Sequence, residues 1–272
     1  MRQTTLITNQ VKWWHLDVAK LWRHRQIVGF LVWRDIAVRY KQTYVGILWV
    51  ILQPVIEMIV FTLVFHRFVG IRSPGLPYPV FVYLGLLPWT YFTSSVSRMM
   101  TSIVGEKALM TRIVFPRLYL PLSKALSELA DFLAAFSVLF LLMWIYSVPV
   151  SLQIFWIVPL FVLTVLVAVG TGLLLAGAHA IYRDIGLIVP YFLRIMMFVT
   201  PVIYPIKTVS PQWQWLLRFN PFTGIIEGFR SAIMQTAMPL HLLADSAIAT
   251  CVLLLLGLFV FQKLEPRFMD EI

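Results

Sequence analysis

Charge is scarce in this sequence. Only 12% of its 272 residues are Asp, Glu, Lys or Arg, against about 25% in ordinary soluble domains, so there is too little polar surface to cover a water-soluble globule. Cysteine is almost absent as well: Cys251 stands alone in an apolar run, which excludes an intrachain disulfide and any cysteine-built metal site. The sequence has no GxxxxGK[ST] loop to cradle nucleotide phosphates, no paired-Cys or HExxH metal spacing, and no recognisable Ser-His-Asp set. A chain so equipped binds no cofactor of its own, and any energised work it does draws on a source outside it. The first twenty residues lack an apolar core followed by a small-residue cleavage site, so the expectation is insertion through the first true span rather than a signal peptide. The net charge of +10 does not mark a nucleic-acid partner, because the basic residues lie between apolar runs instead of on one polar face.

What the sequence does have is hydrophobicity, at 60% of its residues. Crossing a hydrocarbon core of roughly 30 Å takes about 20 apolar residues. Six stretches qualify as candidates: 44–68, 80–104, 118–146, 152–180, 185–204 and 242–262. An even number of spans puts both termini on one side. Sixteen Lys and Arg then fall on the side of the termini and five on the other, with Arg194 left inside a span, so both termini are expected in the cytoplasm. The fold class expected is an all-α integral membrane protein of six transmembrane helices.

Three segments do not fit a simple hairpin of spans. Before the first span, Phe30, Trp33, Ile36, Ala37 and Tyr40 share one arc of a helical wheel, while Arg34, Asp35, Arg39, Lys41 and Gln42 share the other. This reads as an amphipathic interface helix with its cations facing water and lipid phosphate, or more blandly as a basic anchor. Between the second and third spans, "VGEKALMTRIVFPRLYLP" mixes Glu106, Lys107, Arg112 and Arg117 with Leu109, Met110, Ile113, Val114 and Phe115. A short helix ending near Pro116 would present a greasy, basic knob; the alternative is a loop packed on its own protein. After the fifth span, "SPQWQWLLRFNPFTGIIEGFRSAIMQ" carries Pro211 and Pro221 at helix-start positions and reads as two amphipathic helices too short to span, re-entering the membrane where protein or a cavity covers the turn.

Polar residues inside the spans narrow the search for a site. Gly46, Trp49, Gln53 and Glu57 lie within about 80° of one another on a helical wheel. Tyr83, Thr90, Ser94, Ser97 and Thr101 form a second stripe, which either lines a path or glues helices together. An ionisable group at the bilayer centre costs at least about 2.5 kcal/mol, which singles out Glu57, Glu128, Asp131 and Arg194. Lys124, Glu128 and Asp131 run down one face, and Lys124 with Glu128 reads equally as a plain helix pair. Gly172, Ala176 and Ala180, four apart, read as a close-packing seam.

Six ordered stretches, "RDIAVRYKQTYVGILWVILQP", "YPVFVYLGLLPWTYF", "RIVFPRLYLPLS", "YRDIGLIVPYFLR", "FVTPVIYP" and "NPFTGIIEGFR", together resemble the membrane subunit of type-2 ABC polysaccharide exporters, a family that exports O-antigens, capsules and teichoic acids. The resemblance spans roughly residues 30 to 235. It implies a homodimeric permease of the bacterial inner membrane that works with two copies of a separate ATPase subunit holding ATP and Mg, and that moves an undecaprenyl-diphosphate-linked polysaccharide, O-antigen foremost, outward. Residues 1–43 become a cytoplasmic segment, 44–262 the transmembrane domain and 263–272 a cytoplasmic tail, with a coupling helix at 105–117 and gate helices at 205–239. Docking on the ATPase would fall to Arg34, Asp35, Arg39, Lys41, Glu106, Lys107, Arg112, Phe115 and Arg117. The gate would include Trp213, Leu217, Phe219, Phe222, Glu227, Phe229 and Arg230.

A path lined by the first, second and fifth spans would use Trp49, Gln53, Glu57, Tyr83, Tyr91, Phe92, Ser94, Ser97, Tyr191 and Arg194, since sugars favour aromatic faces backed by hydrogen bonders. Arg194 departs from the amide or apolar residue that the family pattern carries near this position. It has two readings: a contact for a lipid diphosphate or acidic polymer, or a neutralising partner for Glu57 or Asp131. Competing functions are an ABC-2 exporter of another lipid or a drug, a secondary transporter coupled to ions through Glu57 or Asp131, and a lipid-modifying membrane enzyme. The last would show clustered acids or histidines at one interface, and a secondary transporter would show internal repeats; neither is visible.

Overall fold

A computed structural model of the chain describes residues 25–41, 46–112 and 115–268. The readings made for residues 1–24, for Gln42 and for Ile113 and Val114 lie outside them. The described residues form helices and connecting turns, with no strand among them. In chain order the helices are α1 (Arg25–Lys41), α2 (Gly46–Phe61), α3 (Tyr78–Gly105), α4 (Lys107–Arg112), α5 (Tyr119–Ile145), α6 (Ile157–Ile181), α7 (Ile185–Val199), α8 (Pro211–Arg218), α9 (Pro221–Met234) and α10 (Leu240–Leu264).

Four of these, with their short extensions, are long and apolar enough to cross a membrane: Leu48–Phe68, Tyr119–Ile145, Leu152–Ile181 and Leu240–Arg267. The two remaining candidate spans differ for separate reasons. Helix α3 is 28 residues long but carries tyrosines, prolines and hydroxyls, and it is buried on nearly every side by α2, α5, α6, α7 and α9. A helix sheathed in protein does not need an apolar face for lipid. Helix α7 stops at Val199, five residues short of the expected 185–204 span. Prolines at 201 and 205 disfavour helix in the residues before them, and Thr200 to Ile203 fold back into the core. Its 15 residues measure roughly 22 Å, less than a hydrocarbon core of about 30 Å.

Local chemistry explains the element ends. Helix α2 holds Pro54 and widens into a π-helical stretch, Thr62–Phe68, where the Thr62 hydroxyl donates to the Met58 carbonyl at 2.7 Å. Asn220 caps α9 by accepting from the Phe222 N–H at 3.0 Å, Pro221 takes the first helical position, and Gln235 closes the helix in the left-handed region at φ 57°.

Packing is organised around α3 and α6. Lipid tails are as apolar as leucine, so helices associate here through close contact more than through escape from water. At the α6–α10 crossing, Gly170 and Gly257 bring the two backbones together, and a Cβ on Gly257 would collide with the Gly170 carbonyl oxygen. Gly172 sits against the Met99 side chain, with Ala176 and Ala180 buried beside it, so the small-residue seam joins α6 to α3 and the α10 side. Large apolar side chains such as Ile56, Leu133, Val158, Ile188 and Leu255 are exposed around the outside, as suits a lipid-facing surface. Trp144, Trp156, Trp213 and Trp215 are exposed at the end of the bundle holding α8 and α9, where a membrane interface favours amphipathic rings.

Candidate functional site

At the end of the bundle opposite α9, helix α1 lies across α5 with its polar arc turned inward. Arg39 reaches Glu128 at 2.6 Å, also pairs with Asp131, and touches the Ser127 hydroxyl at 3.4 Å. Tyr40 donates to the other Asp131 oxygen. Arg34 holds Asp35 at 3.0 Å and grips both oxygens of Glu106. Lys124 joins Asp35 at 2.8 Å and Glu106 at 3.2 Å, and Arg98 of α3 closes on Glu128 through Nε at 2.7 Å.

Four cations thus meet four carboxylates across α1, α3, α4 and α5. The balance matters because an unpaired charge here would carry a desolvation cost of several kcal/mol. Burial pulls the Arg39 guanidinium down, but Glu128 and Asp131 outweigh it and hold Arg39 above its usual range. Burial, reinforced by the hydrogen bond to Asp131, pushes the Tyr40 hydroxyl up to about 12.

This arrangement corrects two expectations. The cations of the interface helix were expected to face water and lipid phosphate; instead Arg34 and Arg39 neutralise acids on α4's cap and α5, and the exposed face of α1 is that of Phe30, Trp33 and Val38. The buried acids supply the reason: Arg98 and Lys124 provide two cations for Glu106, Glu128 and Asp131, and Arg34 and Arg39 complete the balance. Of the readings open for Lys124, the plain helix pair with Glu128 does not form: Lys124 points to Asp35 and Glu106 and leaves Glu128 to two arginines.

The connection after α3 is a short helix, α4, with its apolar side packed in. Met110 is buried, Leu109 and Phe115 pack against the cluster formed by Leu31, Tyr119, Phe261 and Phe268, and Arg117 donates to the Glu265 carbonyl. The knob is therefore basic outside and greasy inside. Of the docking candidates, Lys41, Lys107 and Arg112 are exposed, Arg117 is half-buried, and Arg34, Asp35, Arg39 and Glu106 belong to the ion network.

Two neighbouring cavities open above this network. One, of about 430 Å³, lies between α2, α3 and α5 and is lined by Trp49, Gln53, Tyr91, Ser94, Arg98 and Asp131 among others. The other, of about 590 Å³, lies between α2, α3 and α7 and is lined by Gln53, Glu57, Trp89, Ser94, Ser97, Arg98 and Arg194 among others. Gln53, Thr90, Ser94 and Arg98 belong to both walls, so the two form one recess running along α3. Gln53 donates to Glu57 at 3.2 Å, one turn along α2.

Seven of the ten residues proposed from the sequence for a path therefore share this recess: Trp49, Gln53, Glu57, Tyr91, Ser94, Ser97 and Arg194. Three do not. The Tyr83 hydroxyl donates to the Ala135 carbonyl at 2.6 Å inside the core, the Phe92 ring packs at a tilt against Phe222 and Trp89, and Tyr191 is exposed on α7. Tyr83 misled because an aromatic on a polar stripe reads the same whether its face meets a cavity or a neighbouring helix, and Phe92 was proposed for its ring alone. Arg194 pairs with neither Glu57 nor Asp131. Arg98 was overlooked as a lining residue, although its place one turn from Ser94 on the hydroxyl stripe was the signal for it.

At the far end, α9 is wedged between α3, α6 and α10. Arg230, 1% exposed, is central to that joint: it donates to the Val202 carbonyl at 2.7 Å and pairs with Glu227 at 3.0 Å, and its guanidinium lies 3.5 Å over the Phe81 ring. Leu217, Phe222 and Phe229 are buried with it, while Trp213 and Phe219 on α8 are exposed. The sequence reading counted Arg230 with the five cations opposite the termini and named it a gate residue, and nothing in its neighbours announced its burial.

Comparison with known proteins follows the same lines. The pattern of the ABC-2 type transporter family matches residues 26–234. Over 262 residues, 94% of this chain and 98% of the relative, the sequence is 28% identical to the O-antigen export system permease protein RfbA of Myxococcus xanthus. Over 238 residues, 87% of this chain and 91% of the relative, it is 26% identical to the protein of the same name in Klebsiella pneumoniae. Polysialic acid transport protein KpsM of Escherichia coli is 24% identical over 252 residues, 90% of this chain and 95% of its own length.

Proposed function

The chain belongs to the ABC-2 type transporter family, and on that premise we propose that it is the permease subunit of an ATP-driven exporter that moves a polyprenyl-diphosphate-linked polysaccharide out of the cytoplasm. The observation that carries the reading is the recess along α3, where seven polar or aromatic residues picked out along the sequence share one cavity wall between α2, α3, α5 and α7. A transporter needs such hydrogen-bonding groups inside an otherwise apolar bundle, and needs them adjoining a boundary that can open. The likeness to O-antigen permeases over nearly the whole chain favours O-antigen as the cargo, with capsule polysaccharide the second choice.

In this reading α3, and α7 together with the buried non-helical residues 200–203 that extend it, complete a set of six spans with α2, α5, α6 and α10; both termini lie in the cytoplasm, and the protein sits in a bacterial inner membrane. Helices α8 and α9 re-enter from the outer side as a gate. Two copies of the chain pair, and each engages a separate ATPase subunit through the basic outer side of α4 and the end of α1. Lys41, Lys107 and Arg112 are the exposed cations there. Arg34, Arg39, Glu128 and Asp131 act behind them: they tie α1 to α5 and α3, so a push on α1 reaches Arg98 in the recess wall.

Reconstitution with a candidate ATPase tests this. Hydrolysis by the pair should depend on both proteins and fall several-fold with Lys41→Glu and Arg112→Glu together, while the variant still purifies as a folded membrane protein. No association with any ATPase, together with flux driven by a proton gradient and blocked by Glu57→Gln, would replace the reading with an ion-coupled transporter.

A further inference from the structure

We propose that the groove between α8 and α10 is a binding site for phosphatidylethanolamine, with the lipid phosphate on Arg218 and its primary ammonium on Asp245. The groove has a volume of about 610 Å³ and is charged at one end only. There the Arg218 Nε–H donates to Asp245 Oδ2 at 2.7 Å. That bond orients both side chains and leaves most of their capacity open. The terminal nitrogens of Arg218 keep their N–H donors, and Asp245 keeps Oδ1, with no further partner among the described residues. One open cation beside one open anion is the complement of a zwitterionic headgroup, because a guanidinium fork matches phosphate oxygens and a primary ammonium donates to a carboxylate. A headgroup of net negative charge would meet repulsion from Asp245, and a quaternary ammonium has no N–H to give it.

The rest of the groove suits the tail of such a lipid. Beyond Asp245 its α10 wall continues through Ile248 to Val252, about 10 Å along the helix axis, while Trp215 and Phe219 of α8 line the other side. These four apolar side chains are exposed. Asp245 lies in the second turn of α10, close to the end of a span that begins at Leu240, so the ion pair sits at headgroup depth and the apolar wall runs inward from it. The exposed tryptophans at this end of the bundle mark the same level. Helix α8 has little else to hold it, since Leu217 is the one buried residue among its eight and an exposed ion pair ties two helices weakly. A lipid seated in the groove braces α8 against α10. The inference uses the membrane-spanning fold, and neither the cargo nor the direction of transport.

The test is native mass spectrometry of the full chain released from detergent and titrated with phosphatidylethanolamine, phosphatidylcholine or phosphatidylglycerol of the same acyl chains, reading the affinity of the first lipid bound. Phosphatidylethanolamine should bind about tenfold more tightly than phosphatidylcholine, the worth of one charge-assisted hydrogen bond. Asp245→Asn should abolish that preference and move phosphatidylglycerol ahead, because Arg218 then stands alone. Arg218→Gln should weaken all three lipids several-fold. Ile248→Trp fills the groove away from both charges and should block all three; Ile248 is exposed, so this variant should fold, and thermal melting of each variant checks it. Equal affinity for the three lipids, or a phosphatidylethanolamine preference that survives Asp245→Asn or Ile248→Trp, overturns the proposal. So does a stable dimer that binds no lipid and dissociates in Ile248→Trp, which would give the groove to a second copy of the chain. None of these results bears on the export reading, which the ATPase assay decides separately.

Discussion

Arg39 and Arg230 show how differently one residue type serves the two ends of the bundle. Arg39 neutralises two acids on α5, so its removal leaves Glu128 and Asp131 facing each other with only Arg98 between them. Breaking a buried pair from one side typically costs about 3–5 kcal/mol, whereas removing both charges costs far less. We therefore expect Arg39→Met to lower the thermal unfolding midpoint in detergent sharply and Arg39→Met with Asp131→Asn to recover much of the loss. Additive losses in that double-mutant cycle would mean that the two residues do not interact as described. Arg230 instead satisfies a backbone carbonyl and covers an aromatic ring, roles that depend on its planar fork. Arg230→Lys keeps the charge but not the fork, and it should still lose about 1–3 kcal/mol, the cost of an unsatisfied buried acceptor. A melting temperature equal to that of the unaltered chain would refute the clamp.

At the scale of elements, small residues decide how closely helices cross. A Cβ on Gly257 would run into the carbonyl of Gly170, which belongs to backbone and cannot swing aside. Gly257→Ala should therefore destabilise the protein by about 1–3 kcal/mol, the usual penalty for overpacking. Gly29 in α1 is the control, because nothing lies within 4 Å of a Cβ there. Gly29→Ala should be neutral or stabilise the helix by up to about 1 kcal/mol. If the two alanines melt alike, the α6–α10 contact is looser than drawn. Helix α1 makes the complementary point: Arg34 and Arg39 of its polar arc turned toward protein, because buried acids competed with water for them, and Tyr40 of the apolar arc turned with them to Asp131, while Lys41 stayed exposed beside Phe30 and Trp33.

For the whole molecule, the arrangement of helices makes a statement about sidedness. Residues 69–77, after α2, and residues 106–112, after α3, lie at opposite ends of α3. Cys251 is the single native thiol, so Cys251→Ser provides a background for new cysteines. In intact cells, a membrane-impermeant maleimide should label Arg72→Cys from outside and reach Arg112→Cys only after the membrane is breached. Equal labelling of both before lysis would overturn the expected topology.

The sequence alone determined that this is a helical membrane protein, where most of its helices run, and which residues of α2 share a face. These are local consequences of apolar composition and of a repeat near 3.6 residues, which act within one helix. Gln53 and Glu57 were legible for that reason. Tertiary structure decided what depends on pairs of helices: that Arg39 meets Asp131, 92 positions away, that α3 is sheathed while α7 ends early, that Tyr83 is core while Ser94 lines a recess, and that Arg230 is buried. A helical wheel says which side chains point the same way, but not whether lipid, a cavity or another helix lies in that direction. Only the packing of distant segments, where each buried charge must find its counterion or its ligand, sets that answer.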